Sequence, residues 1–126
     1  MEYFDISEFD QKDLQGSGEN MCKEFLVNMD ILRKRCGFPL YVSSGWRSPE
    51  YNNEVSSTGF NGPHTTGKAC DVFVSRWQAY IVLREAMLMG CFTGIGIAQK
   101  GDSRFIHLDS LQKGETKGPR PTLWSY

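Results

Sequence analysis

Apolar residues recur at helical spacing in the first third of the chain and predict an amphipathic helix over residues 20–36. Its stripe is formed by five side chains: Met21, Phe25, Leu26, Met29 and Leu32. Asn20 is a suitable N-cap, and Gly37 stands where a left-handed C-terminal residue is expected. Because Pro39 cannot continue a helix, the pattern indicates an end at Cys36.

Two further helices are predicted from their start signals. Ser48 followed by Pro49 is typical of a helix N-terminus, and this helix should end between residues 56 and 59. Ser75 and Gln78 form a capping-box pattern before a longer helix that a glycine closes. The expected buried stripe of that helix contains Trp77, Tyr80, Ile81, Arg84, Met87 and Leu88.

Short β-prone segments alternate with these helices. They span residues 40–43, 68–74, 93–98 and 104–108. The last two flank a Gly-containing turn, which predicts a hairpin. Residues 57–66 are rich in Gly, Ser, Thr and Asn and are expected to form a loop, and residues 110–126 are expected to be irregular. The order of elements predicts one α+β domain over residues 1–126, with a small, mainly antiparallel sheet packed against helices.

The chain has two histidines, and each is followed closely by an aspartate. A turn between His64 and Asp71 can fold the imidazole over the following strand. His107 and Asp109 share one face of a strand, because residues i and i+2 point the same way. Two imidazoles and one carboxylate with an open position form the ligand set of a catalytic zinc centre. Spacing alone leaves a second interpretation open, in which these are surface or hydrogen-bonded core residues.

Composition narrows the classes of function. The 126 residues include 14 Lys and Arg against 15 Asp and Glu, and the net charge of −1 argues against binding polyanions through bulk charge. Lys113, Lys117 and Arg120 form a loose basic stretch that is interpreted as solvated surface. No apolar run approaches the roughly 20 residues of a membrane span, and the N-terminus lacks the regions of a secretory signal. We therefore expect neither a nucleic-acid nor a membrane partner.

Three segments, in this order, resemble the M15 peptidase family, the zinc D,D-carboxypeptidases and L,D-endopeptidases of bacterial cell walls and phage endolysins. They are residues 43–52 (SSGWRSPEYN), residues 62–71 (GPHTTGKACD) and residues 105–109 (FIHLD). A late tryptophan, Trp124, completes the pattern of the small, single-domain branch of that family. The resemblance runs from Asp5 to Trp124 and implies a fold like that of the hedgehog and DD-peptidase proteins.

Carried over residue by residue, the resemblance implies that His64, Asp71 and His107 bind Zn²⁺. It also implies that Arg47 points into the same site as a catalytic residue. A guanidinium there is a permanently charged donor that can stabilise the negative charge developing on a peptide carbonyl oxygen, or hold a substrate carboxylate. Ser44 and Asn52 of the first segment are expected to shape the loop rather than to react.

The chain departs from the better-known members at two positions. Many relatives have a general-base Glu three residues before the last metal-binding His, where this chain has Arg104. We therefore assign Asp109 as a catalytic residue, either as the general base or as the residue that orients His107. Asp102, in the hairpin turn, is the second candidate for the base. At the second position, Pro63 stands where relatives usually have a serine before the first His. The residue at this position is not a metal ligand.

The resemblance implies a zinc peptidase that hydrolyses peptidoglycan stem peptides. An endolysin-type L-alanyl-D-glutamate endopeptidase is the first interpretation, and a D-alanyl-D-alanine carboxypeptidase is the second. A third, of another class, is a non-catalytic zinc-containing module that binds the cell wall or has a structural role, since the hedgehog signalling domain shares this fold without established peptidase action. We expect a monomer that stays cytoplasmic until another factor releases it to the bacterial cell wall, as for a phage lytic enzyme.

Overall fold

A computed structural model describes all 126 residues, with three α-helices and one five-stranded sheet. The helices are α1 (Lys23–Cys36), α2 (Pro49–Val55) and α3 (Arg76–Met89). The strands are β1 (Tyr41–Ser44), β2 (Ala69–Phe73), β3 (Gly94–Ala98), β4 (Phe105–Asp109) and β5 (Thr122–Ser125). They lie in the order β1-β2-β4-β3-β5, with β3 and β5 parallel and all other neighbours antiparallel. The predicted α+β class with a mainly antiparallel sheet is confirmed.

The two faces of the sheet differ in chemistry because successive residues of a strand point to opposite sides. On one face, Val72, Ile106 and Leu108 are almost completely buried. They belong to a single apolar core together with residues of α1 and α3: Phe25, Leu26, Met29, Leu32, Ala79, Val82 and Ala86. The other face carries the polar residues that alternate with them, and the candidate site lies there.

The prediction is right at the end of α1 and at the start of α2, whereas α1 begins later, and α2 ends earlier, at Val55, than the sequence predicts. α1 ends at Cys36, and Gly37 has the expected left-handed φ of 79°. The helix begins at Lys23 rather than at residue 20, because Ser17–Asn20 form a separate 3₁₀ turn. For α2 the expected cap is present: Tyr51 N donates to Ser48 Oγ at 3.2 Å.

The predicted buried stripe of α3 is wrong. Five of its six members are exposed: Trp77, Tyr80, Arg84, Met87 and Leu88. The buried side chains are instead Ala79, Val82, Glu85 and Ala86. Mostly small residues therefore face the core, and Glu85 pairs with Arg35 of α1 at 3.0 Å. The predicted capping box is also wrong, because the Ser75 side chain makes no cap hydrogen bond.

Residues 110–126, which the sequence predicts to be irregular, contain one regular element. Residues 122–125 form β5 along the edge of β3 that β4 leaves free. Thr122 N donates to Thr93 O at 2.8 Å, and Tyr126 N donates to Ile97 O at 3.0 Å. This strand forms because the edge of β3 offers free backbone hydrogen-bonding groups. That edge exists only in the folded sheet, so the local sequence does not predict the strand. No helix has the length and hydrophobicity needed to cross a membrane.

Candidate metal centre

His64 is fixed by contacts between two of the sequence segments described above, residues 43–52 and residues 62–71. It lies in a 3₁₀ turn, Pro63–Thr65, and its Nδ1 is 2.9 Å from Gly45 O. Arg47 N donates to His64 O at 3.0 Å, which ties the two segments together a second time. Gly45 has no room for a Cβ, because the Phe9 backbone lies against it. The imidazole is therefore buried, and a backbone carbonyl holds its Nδ1.

His107 is positioned by strand pairing. It lies on β4 directly opposite Asp71 on β2, so both side chains project from the same face. His107 Nδ1 is 3.0 Å from Asp71 Oδ1, and His107 Nε2 is 2.8 Å from Asp109 Oδ2. All three residues are buried. The ring therefore has one nitrogen towards Asp71 and the other towards Asp109.

In each ring, the hydrogen-bond partner of the outer nitrogen indicates that this nitrogen carries the proton. His64 donates its Nδ1 proton to Gly45 O, and His107 donates its Nε2 proton to Asp109 Oδ2. The inner nitrogens, His64 Nε2 and His107 Nδ1, then carry lone pairs and lie 3.3 Å and 3.0 Å from Asp71 Oδ1. Three acceptor atoms that converge in this way are satisfied by a cation between them.

A zinc ion fits this donor set. One ligand atom from each of His64, Asp71 and His107 lies within 4.8 Å of the others. Tetrahedral zinc with ligand bonds of about 2.0–2.2 Å places its ligand atoms roughly 3.3 Å apart, close to the two measured separations from Asp71 Oδ1. The outer nitrogens of both rings are already held by a carbonyl and a carboxylate, as is typical for metal-binding histidines.

The electrostatics agree with a site for positive charge. Burial by itself raises the pKa of Asp71, but the charges and hydrogen bonds of His64 and His107 outweigh it and hold that pKa well below its usual range. Burial lowers the pKa of His107, yet its hydrogen bonds to Asp109 and Asp71 outweigh burial and raise it. Both shifts arise because a carboxylate and imidazoles share one buried space.

Arg47 lies at the side of this cluster. Its Nε donates to Ser44 Oγ and its NH1 donates to Asn52 Oδ1, each at 3.0 Å. The remaining nitrogen, NH2, is 3.9 Å from Asp71 Oδ2. Asn52 is completely buried and is itself held by Thr58 Oγ1 at 2.9 Å. Ser44 and Asn52 thus orient the guanidinium, which leaves NH2 directed towards the site.

Asp109 lies behind His107 rather than in front of the inner nitrogens. It is completely buried, and Arg120 donates to both of its oxygens, from Nε to Oδ1 at 2.9 Å and from NH2 to Oδ2 at 2.7 Å. Burial raises the pKa of Asp109, but the hydrogen bonds from His107 and Arg120 outweigh it and lower that pKa. This placement matches the residue that orients His107, the second of the two roles that the sequence left open.

A cavity of about 640 Å³ opens in front of the cluster. One wall is formed by residues 55–63 and the other by residues 116–126, and Arg47, Lys117 and Arg120 supply its positive charges. Asp71 is the one acidic residue in its lining. Asp102 lines a separate depression near the start of α3, so it does not reach this cavity.

Trp124 closes the cavity over His107, with the two rings 5.1 Å apart. Gly96 lies between their strands, paired with His107 on one side and with Trp124 on the other. A Cβ at Gly96 would lie 2.6 Å from the Trp124 ring. The missing side chain therefore lets the indole cross β3 and contact the His107 imidazole.

The model of the family described as Peptidase M15 matches residues 2–109. The chain belongs to the M15 peptidase family. The M15 match includes Arg47 and the three converging ligands and ends at Asp109, so Arg120 and Trp124 lie beyond it. A search of curated protein sequences finds no match.

Sequence reasoning missed part of the site. Arg120 was interpreted as solvated surface, whereas its side chain is 5% exposed and paired with Asp109. No local pattern around Arg120 indicates this, because Arg120 lies before β5 and its partner lies 11 residues away at the end of β4. Gly94 and Gly96 did carry a signal: glycine at alternate positions of a β-prone run marks a strand face that other groups approach closely.

Proposed function

We propose that this M15 family member is a zinc peptidase that hydrolyses the stem peptides of peptidoglycan. The observation that carries the proposal is the convergence of His64 Nε2, Asp71 Oδ1 and His107 Nδ1 at the cavity, with Arg47 NH2 beside them. When bound there, zinc supplies Lewis acidity and activates water for attack on a peptide carbonyl. The M15 family is zinc-dependent, which supports this choice of metal.

The protein's own residues position the substrate and the ligands. Arg47 has one guanidinium nitrogen free of Ser44 and Asn52, so it can donate to a carbonyl oxygen that gains negative charge, or to a substrate carboxylate. Asp109 and Gly45 accept the outer protons of the two imidazoles and so keep the inner nitrogens available. Residues 55–63 and 116–126 form walls that hold a peptide between them.

Within this class we propose an endolysin-type L-alanyl-D-glutamate endopeptidase, with D-alanyl-D-alanine cleavage as the alternative. The positive lining suits both, since D-glutamate brings a carboxylate near the scissile bond and D-alanyl-D-alanine ends in one. Lys117 has no carboxylate within salt-bridge distance, and the only one near Arg47 is that of Asp71, whose Oδ2 lies 3.9 Å from Arg47 NH2.

One observation favours a candidate of another class, a zinc-containing module without peptidase activity. General-base catalysis needs a group within reach of the attacking water, and the cavity lining holds no acidic residue other than Asp71. Asp109 is enclosed behind His107, and Asp102 faces a different depression. A bound metal with no proton acceptor would bind a wall peptide without cutting it.

One experiment separates these functions. The purified protein, with its zinc content measured, is incubated with purified peptidoglycan, and the fragments are identified by mass spectrometry. New amino termini on D-glutamate support the endopeptidase, and release of D-alanine alone supports the carboxypeptidase. Bound zinc without products supports the non-catalytic module.

Variants complete the test. His64→Ala and His107→Ala should each remove zinc, while Asp102→Asn, a change in the other depression, should leave both zinc and products unchanged. If both histidine variants keep one zinc per chain, the proposed centre is wrong. If Asp102→Asn abolishes hydrolysis with zinc still bound, while Asp109→Asn keeps full turnover, Asp102 rather than Asp109 is the essential carboxylate.

A further inference from the structure

The segment after β4 returns to the metal centre from the far side of β3. Thr122 of β5 pairs with Gly94 of β3, and Gly94 pairs on its other side with Asp109 of β4. Arg120 precedes Thr122 by two residues and reaches over Gly94 to the Asp109 carboxylate. The tail therefore contacts a residue that touches a predicted metal ligand.

The contact between Arg120 and Asp109 has the geometry of a specific pair. The guanidinium donates to both carboxylate oxygens, at 2.9 Å and 2.7 Å, in the two-point arrangement that fixes a carboxylate in orientation as well as in place. The Arg120 side chain is 5% exposed and Asp109 is completely buried. Water therefore competes weakly for this pair.

The guanidinium is held in turn. Arg120 NH1 donates to Pro119 O at 2.7 Å, and the guanidinium carbon lies 5.4 Å from the Trp124 ring centre. On the opposite side, a Cβ at Gly94 would overlap both Asp109 oxygens, so no other side chain shares their space. The carboxylate is thus left with one orientation, in which Oδ2 faces His107 Nε2 at 2.8 Å.

We propose that Arg120 is a positioning residue for the metal centre. It holds both oxygens of Asp109, so that Oδ2 accepts the Nε2 proton of His107 and Nδ1 is presented to the metal. This inference rests on the proposed zinc function. It adds a residue outside the part of the chain that the family match covers, which ends at Asp109.

The first test measures zinc affinity by competition with a chelator. Loss of a group that supports a ligand typically weakens metal binding about 10- to 100-fold, and we expect this for Arg120→Gln. Arg120→Lys keeps the charge but not the two-point contact, so its loss should be smaller. Lys113→Gln is the matched control, an exposed cation of the same tail, and should bind zinc like the wild type. Equal affinity in all four proteins would overturn the proposal.

A double substitution separates positioning from a general loss of structure. If Arg120 acts through Asp109, then Arg120→Gln should weaken zinc binding in the wild-type background and have no further effect in an Asp109→Asn background. Independent losses that multiply in the double variant would mean that Arg120 does not act through Asp109. Arg120→Lys gives the same comparison if Arg120→Gln does not fold.

A readout that does not depend on zinc makes the failure of this inference distinguishable from failure of the proposed function. Long-range ¹⁵N–¹H spectra of the metal-free protein, recorded at a pH above the pKa of His107, report which nitrogen of that ring carries the proton. We expect Nε2–H in the wild type and in Lys113→Gln, and a mixture of tautomers in Arg120→Gln. An unchanged tautomer would contradict the inference. If the tautomer changes in Arg120→Gln as expected but the wild type binds no zinc, the proposed function is contradicted and the positioning of His107 by Arg120 still holds.

Discussion

The two faces of the sheet are built from the same strands but bury side chains of opposite polarity. On the helix side, Val72, Ile106 and Leu108 fill an apolar core in which burial itself is stabilising. One residue along, Asp71 and His107 are buried almost as deeply, yet each is charged or polar. Burial on this second face carries a desolvation cost, which only partners can offset.

The polar face meets that cost by specific pairing. Arg120 donates to Asp109, and Asp109 accepts the Nε2 proton of His107. The inner nitrogen of His107 faces Asp71 Oδ1 at 3.0 Å, across the position proposed for a cation. The apolar face therefore depends on the volume of its side chains, whereas the polar face depends on the partner at each position. The two faces should respond differently to substitution.

The largest effect on stability should come from the apolar face. Leu108 is completely buried, and Leu108→Ala should lower the free energy of unfolding by about 2–5 kcal/mol, through lost burial and a remaining cavity. Because its side chain points away from His64, Asp71 and His107, the proposed metal ligands, zinc affinity of the folded protein should stay within twofold of wild type. Denaturant unfolding and chelator competition measure the two quantities. A large loss of zinc affinity would show that the faces are not independent.

A smaller loss is expected from a substitution that adds one methyl group on the polar face. Gly96→Ala places a Cβ against the Trp124 ring, and such overpacking costs about 1–3 kcal/mol. Denaturant unfolding measures this loss, with Ile95→Val, on the apolar face of the same strand, as the comparison at about 0.5–1.5 kcal/mol. Adding Trp124→Ala to Gly96→Ala should remove most of the clash, so the two losses should not add. Strict additivity would contradict the contact across β3.

The smallest expected change is the pH dependence of the metal-free protein. The raised pKa of His107 contributes stability that is complete below about pH 6.5 and is lost as the pH rises through the folded-state pKa. The lowered pKa values of Asp71 and Asp109 contribute stability above about pH 4 that is lost as the pH falls through their folded-state values. Stability from these groups should therefore be greatest between about pH 4 and 6.5.

The alkaline part of this profile is specific to the polar face, because its histidines are the only two in the chain. Chemical unfolding at several pH values between 6 and 8, without metal, should show a decline that His107→Gln reduces. The same decline in His107→Gln would assign it to another group. With zinc bound, the decline should disappear, since the metal requires the neutral imidazole.

The sequence determined the elements whose signals are local. The apolar spacing of α1, its glycine stop and the Ser48 cap of α2 depend on neighbouring residues, so they can be read directly from the chain. The fold class followed from the order of these elements. The candidate ligands were also accessible, because three motifs with fixed internal spacing placed His64, Asp71 and His107 together through the family resemblance.

Only the tertiary structure decided which partners meet across strands. It buried the small face of α3, because close packing against α1 favours small side chains over the large apolar residues that the periodic pattern selected. It brought Arg120 to Asp109, because β5 pairs with the free edge of β3 and glycines at positions 94 and 96 leave room to cross. Periodicity records which residues are apolar, whereas the distance between strands that are remote in sequence is fixed only when the sheet forms.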